Sequence, residues 1–155
     1  MENFETVITK QMRDAIGVES DPVINDVEKG AIVKFAQAIE DGNPVFNNEN
    51  IARQTRFGGL IAPPTFLRSM KVGEANPTVN SPYTANLDGG SEWEYFEPVR
   101  VGDQISVTQY LSDISERRGS LGHMLFMVRE TKYTNQFGNV VALQRTTGIS
   151  YNPSN

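Results

Sequence analysis

The chain has 155 residues, 38% of them hydrophobic and 21% charged, the composition of one folded domain with a sizeable core and not of a disordered segment. A formal net charge of −5 without any basic cluster argues against nucleic acid as a partner, although a local patch can still bind an anionic cofactor. The lack of cysteine excludes a disulfide framework and thiolate chemistry, and a single histidine, His123, argues against a histidine-based metal site.

Along the chain, no apolar run approaches the roughly 20 residues that span a bilayer. The opening Met1-Glu2-Asn3-Phe4-Glu5 lacks the basic and then apolar segments of a secretion signal. A cytoplasmic protein with no membrane contact is therefore the expectation. With no repeat, low-complexity tract or linker, residues 1–155 read as a single domain. Phe4 to Ile16 is expected to form a short helix, stopped by Gly17 as its C-cap. Val27 to Glu40 carries the strongest helical signal, because Ile32, Phe35, Ala36 and Ile39 recur on one face. Gly42, Asn43 and Pro44 then end that helix, since proline disfavours helical geometry in the residue before it. Asn48 to Gln54 can add a helical turn. Pro63-Pro64 breaks the chain, and Thr65 to Val72 reads as another helix.

From Ser91 the period becomes two. Trp93 and Tyr95 alternate with Glu92 and Glu94, and Ile105, Val107 and Gln109 share the face of a strand that can run to Ile114. Glu116-Arg117-Arg118-Gly119 is expected to be a hairpin turn, followed by a strand from Leu121 to Tyr133. Gln136-Phe137-Gly138-Asn139 is a second turn, and Val140 to Tyr151 the last strand. Consecutive long strands joined by hairpins form an antiparallel meander, and the apolar helix needs that sheet to bury its face. The fold class is α+β.

The residue types that can carry chemistry gather in two short stretches. Asp41 can act as a general base if burial raises its pKa. Equally, Asp41 and Asn43 suit a turn after the helix, because Asx side chains bond nearby backbone groups. Phe46 is either an ordinary core aromatic or a wall of a ligand channel. Pro63-Pro64 forms a rigid loop that sets the next helix, where proline is favourable in the first turn. His123, expected in mid-strand and remote in sequence from Asp41, reads as structural.

These stretches resemble the MaoC-like (R)-specific enoyl-CoA hydratases, whose motif is Gly-Asp-x-Asn-Pro-φ-His, then five residues, then Ala or Ser. Asp41, Asn43, Pro44, Val45 and Ala52 fall in register, while Glu40 stands at the Gly and Phe46 at the His. The family's Ile-φ-His-Gly corresponds to Ile61-Ala62-Pro63-Pro64. Residues 89–103, with an aromatic strand, Pro98-Val99 and Gly102-Asp103, add support, so the resemblance covers about residues 17–151. It implies a hot-dog domain, an antiparallel sheet wrapped around the long central helix.

In such hydratases the Asp and His activate a water that adds to C3 of a trans-2-enoyl thioester while the α-carbon is protonated. The backbone N–H of the Gly stabilises the thioester oxygen. By that template Asp41 and Asn43 are the surviving catalytic positions, with Asp41 vestigial or a lone base. Phe46 cannot transfer a proton, and Pro64 has no N–H to offer. Losing an oxyanion donor costs about 10²–10³ in rate, and losing an acid–base partner roughly 10²–10⁴.

Some relatives in this family are heteromers in which a degenerate half shapes the acyl pocket beside a competent half. The degenerate half carries an Ala-Pro-φ-Thr-Phe element, here Ala62-Pro63-Pro64-Thr65-Phe66. The resemblance thus implies an acyl-thioester-binding subunit of an enoyl-CoA hydratase or 3-hydroxyacyl-thioester dehydratase, in fatty-acid or steroid side-chain metabolism. Its partner would be a second hot-dog subunit with an intact Asp/His motif. Phe46, Gly59, Ile61, Ala62, Pro63 and Pro64 would line the acyl channel. Arg53 and Arg56, with Arg68 and Lys71, would contact carrier phosphates. No cofactor is implied beyond coenzyme A or acyl carrier protein as thioester carrier. Two alternatives stay open: a homodimeric hydratase or thioesterase using Asp41, and an acyl-CoA-binding module without turnover.

Overall fold

In the computed structural model, residues 5–75 and 77–153 are described. Five antiparallel strands make one sheet: β1 (Val23–Asp26), β2 (Ala85–Tyr95), β3 (Gln104–Gly119), β4 (Gly122–Thr134) and β5 (Val140–Tyr151), in spatial order β1-β3-β4-β5-β2. The meander from β3 to β5 forms as expected. Its register aligns Val107 with Tyr133 and Tyr133 with Ala142, all three buried. Helix α2 (Lys29–Ala38) contributes Ile32 to that same core, with Ile105, Val99 and Val141. Burying Ile32 completely contributes about 2 kcal/mol. Phe35 meets Phe66 edge-on, with ring centroids 5.5 Å apart. Together these make a single α+β hot-dog domain.

The helix is shorter than its apolar period suggests. Val27 is still extended and buried, exchanging hydrogen bonds with Gly102 and Asp103, so α2 starts after it. Ile39, the last residue of the expected face, is 45% exposed because the chain has already begun to turn away. Helix α1 (Lys10–Asp14) is also short. Thr9 caps it, its hydroxyl accepting the Met12 N–H, and of the expected span Phe4 lies outside the described residues. The cap at its other end is Ala15. Gly17 follows and donates to the Leu111 carbonyl at 2.8 Å, tying the segment to β3. Met12 and Ala15 pack on Leu111, Ile114, Leu125 and Met127 in a second core cluster.

Other differences have local causes. The expected helix from Thr65 is a 3₁₀ helix, Pro64–Ser69, closed by i→i+3 bonds such as Phe66 N–H to Pro63 C=O at 2.9 Å. Glu116 to Gly119 is strand and not turn. β3 and β4 pair as far as Gly119 opposite Gly122, so the hairpin tip is Ser120-Leu121. β2 begins six residues before Ser91, its period hidden by a bulge between Asp88 and Ser91. β1 was not anticipated, being only four residues long. The turn at 136–139 is present, organised by Asn135 Oδ1, which accepts the N–H groups of Phe137 and Asn139 at 3.0 Å each.

Candidate functional site

The corner after α2 is built by backbone bonding. The N–H of Asp41 reaches the Ala36 carbonyl at 2.9 Å and that of Glu40 reaches Gln37 at 3.1 Å, a paired closure of the helix end. Such a closure needs a left-handed residue, and Glu40 supplies it at φ +56°. Glycine takes this conformation without steric cost, whereas a residue with a Cβ loses roughly 1 kcal/mol there. The resembled motif has glycine at this position. Its backbone shape is kept although its side chain is not.

Asp41 Oδ1 then accepts the N–H of Asn43 at 2.9 Å, and Asn43 Oδ1 accepts that of Val45 at 3.2 Å. Asn43 thereby caps α3 (Pro44–Asn47), a one-turn helix with Pro44 in its first position. The proline read as the stop of α2 is thus also the start of the next helix, which the sequence reading missed. α4 (Glu49–Ala52) follows, capped by Asn48, within the span expected for a helical turn.

Phe46 is buried between Ala36 and Ile61, with Val45 and Phe57 at its edges. The Ile61 N–H bonds the Val45 carbonyl at 3.1 Å, and the Ala62 N–H bonds the Val99 carbonyl at 2.8 Å. The structure therefore brings the two motif stretches together, and Ile61 forms a bridge with Arg100 beyond them. Ala62 and Pro63 are buried, while Pro64 is exposed at the start of the 3₁₀ helix.

Arg53 and Gly59 line an open groove of about 550 Å³ on the surface beside this corner, with Lys29, Glu49, Phe57 and Arg100. Lys29 and Arg53 both bond Glu49. These hydrogen bonds, Lys29 first and Arg53 next, hold the Glu49 carboxyl below the usual carboxylate range. Arg100 donates to the Phe57 carbonyl. The groove thus carries three cations against one carboxylate, in a chain that is acidic overall. Neither Lys29 nor Arg100 was singled out from sequence. Only the fold brings α2's first residue and the segment before β3 to the same place.

The remaining basic candidates do not join it. Arg56 lies over the Phe57 ring at 4.8 Å and is not among the groove residues. Arg68, exposed on the 3₁₀ helix, is close enough to Tyr133 to oppose the burial that pushes the phenol up to about 12. Lys71 is held by its backbone, which exchanges two hydrogen bonds with the Asn25 carboxamide.

His123 is the second residue of β4, not mid-strand, at the hairpin end of the sheet. Its Nδ1 pairs with the Tyr83 hydroxyl at 2.9 Å and its Nε2 lies 3.4 Å from Glu116 Oε1. Glu116 also accepts from Thr6 Oγ1 at 2.7 Å and the Val7 N–H at 2.6 Å. Among the described residues, no set of three His, Asp or Glu converges as metal ligands, and no helix is long and apolar enough to cross a membrane.

Residues 14–144 match the family described as FAS1-like, dehydratase domain region. A "UPF0336 protein" of Parafrankia sp. (strain EAN1pec) is 32% identical over 116 residues, which are 72% of this chain and 74% of that protein. A "probable enoyl-CoA hydratase alpha subunit" of Thermomonospora curvata is 28% identical over 137 residues; the match takes in 77% of this chain but only 43% of that longer protein. Among solved structures, a MaoC-like dehydratase from Rhodospirillum rubrum superposes with a TM-score of 0.69 at 25% identity, covering 93% of this chain and 98% of the other. The HadBC (3R-hydroxyacyl-ACP dehydratase) complex of Mycobacterium tuberculosis gives a TM-score of 0.72 at 22% identity, over 88% and 98% of the two chains, a likeness of fold.

Proposed function

Because the chain belongs to the FAS1-like dehydratase-region family, we propose that it is the acyl-thioester-binding subunit of a heteromeric enoyl-thioester hydratase or 3-hydroxyacyl-thioester dehydratase. In this reading the chemistry sits on a partner hot-dog chain. The observation that carries it is the corner around Asp41. One oxygen of that carboxylate is committed to its own turn, and Phe46, which stands where the resembled motif has histidine, is a buried aromatic among apolar side chains.

Hydration needs a proton-transfer group within hydrogen-bond reach of the attacking water and a donor aimed at the developing oxyanion. Phe46 provides neither, and Pro64 presents no N–H where the resembled motif has its donor. What the corner does provide is shape. Phe46, Ile61, Ala62 and Pro63 form a firm apolar wall held by the Ile61–Val45 and Ala62–Val99 bonds. In our reading that wall bounds the acyl channel completed by the partner.

The groove beside it suits the anionic end of the substrate. Lys29, Arg53 and Arg100 outnumber Glu49 three to one, so phosphate groups of a coenzyme A or phosphopantetheine carrier gain there what the chain's overall charge would deny. One relative is described as an alpha subunit and one structure of like fold as a HadBC complex, which supports the heteromeric form.

The test is hydration of a panel of trans-2-enoyl-CoA substrates by the chain alone and by the chain co-expressed with a short hot-dog protein bearing an intact Asp-x-Asn-Pro-φ-His motif. Activity only in the complex is the expected result. Turnover by the chain alone, abolished by Asp41→Asn, would overturn it in favour of a self-sufficient homodimer. Acyl-CoA binding with no turnover in either preparation would leave a binding module.

A further inference from the structure

Each cation of the groove beside the Asp41 corner is held by one bond and keeps further donors for a ligand. Glu49 takes the Lys29 ammonium with one oxygen and the Arg53 guanidinium with the other, and Arg100 spends Nη1 on the Phe57 carbonyl. A lysine carries three N–H donors and an arginine five, so most remain. The backbone of Arg100 is fixed as well, by its bridge to Ile61 and by an N–H donated to Asp103 Oδ2 at 2.8 Å.

The chain between these cations supplies donors of a second kind. Gly58 is left-handed at φ +69°, and neither the Gly59 N–H nor the Leu60 N–H has an acceptor among the described residues. Leu60 is only 4% exposed, yet it lines the groove, and a buried N–H is normally paired. A Cβ at Gly58 or at Gly59 would meet nothing within 4 Å, so the space beside both glycines is open to a ligand. Successive backbone N–H groups next to a left-handed residue form a concavity suited to anions. Here that concavity shares its groove with Lys29, Arg53 and Arg100.

Three cations against one carboxylate leave a surplus of two positive charges. A diphosphate diester carries two negative charges, spread over two phosphorus centres. One centre can face the guanidinium groups while the other faces the backbone N–H pair. A single phosphodiester, the link to a carrier protein, carries one charge and one centre. An acidic carrier protein meets a further obstacle, since the chain as a whole has a formal charge of −5 and like charges across an interface suppress binding.

We propose that the groove is a diphosphate site, read by Lys29, Arg53 and Arg100 together with the N–H groups of Gly59 and Leu60, and that the acyl carrier is therefore a nucleotide thioester, coenzyme A, and not an acyl carrier protein. This rests on the acyl-thioester reading above and names the carrier that it leaves open.

The test is calorimetric titration of the full chain with coenzyme A, 3′-dephospho-coenzyme A, ADP, pantetheine and holo acyl carrier protein. The first three share a diphosphate and should bind at least about tenfold more tightly than the last two. ADP should move the amide resonances of Gly59 and Leu60. Arg53→Gln, or Lys29→Gln if the first variant shifts the urea midpoint, should weaken all three diphosphate ligands about tenfold and leave pantetheine unchanged. Pantetheine binding as tightly as coenzyme A would overturn the proposal. So would dephospho-coenzyme A binding no better than pantetheine, or ADP moving amides elsewhere and not these two. Turnover by the chain alone, with ADP still seated at Gly59 and Leu60, would remove the subunit reading and leave the diphosphate site standing. A complex that hydrates carrier-protein thioesters as fast as coenzyme A thioesters, untouched by Arg53→Gln, would do the reverse.

Discussion

Asp41 and Glu116 are both carboxylates that accept backbone N–H groups, yet they do opposite jobs. Asp41 bonds a group two residues away, in a turn that would have the same shape in a much smaller fragment. Glu116 bonds Thr6 and Val7, more than a hundred residues earlier, and also lies beside His123, so it fastens the start of the described chain to the far end of the sheet. The first is turn chemistry and belongs to the local sequence. The second exists only after β3 and β4 have paired. A carboxylate that looks functional in sequence can therefore be occupied locally, while an unremarked one ties distant segments together.

The sharpest way to test that contrast is to remove what lies under the Asp41 corner. Phe46→Ala leaves a cavity against Ala36 and Ile61 and should cost about 3–5 kcal/mol in urea unfolding. A loss under about 1 kcal/mol would mean that the corner does not rest on this ring. At the other end, Glu116→Ala should cost roughly 1–3 kcal/mol, since it leaves the Val7 N–H without its acceptor. Amide exchange should quicken at residues 6–9 and stay unchanged at residues 41–46. Uniform quickening would erase the distinction between the two ends.

Smaller effects separate the two Asx residues. Asn43→Ala removes the cap of α3 and should lower stability by about 1 kcal/mol. Asp41→Asn keeps an oxygen that can accept the Asn43 N–H, so its effect on the unfolding midpoint should stay within about 0.5 kcal/mol. In the proposed complex with a hot-dog partner, the same substitution should leave the turnover rate intact. A large loss of rate with unchanged stability would move the chemistry onto this chain.

Much of the architecture was legible because it follows from periods. The 3.6-residue recurrence of Ile32, Phe35 and Ala36 marked α2, and the strand-favouring run after the turn at 136–139 marked β5 from Val140 to Tyr151. Ends were less legible. Val27 and Ile39 fit the helical period, but one is held by Gly102 and Asp103 and the other passes into a left-handed closure at Glu40. The bulge at Asp88 to Ser91 hid half of β2, because an extra residue inverts the face that alternation tracks. Pro44 was read only as a stop, although one proline can end one helix and open the next.

The candidate site divides along the same line. The pattern Asp41-x-Asn43-Pro44 was visible in sequence, and so were the two positions, Phe46 and Pro64, where the residues depart from the resembled motif. Their side-chain chemistry needs no fold to be known. Lys29, Arg53, Glu49 and Arg100 come from four separate stretches, and their shared groove was not visible. The same holds for the union of Tyr83, His123 and Glu116.

By itself, then, the sequence determined the α+β class, the antiparallel meander, the helix-closing turn and the residue types at the motif positions, since each depends on residue type and spacing within a few turns of chain. Tertiary structure alone decided which cations share a groove and how Glu116 is used. Those depend on contacts between residues tens of positions apart, whose closeness is set by the pairing of strands and not by any local preference.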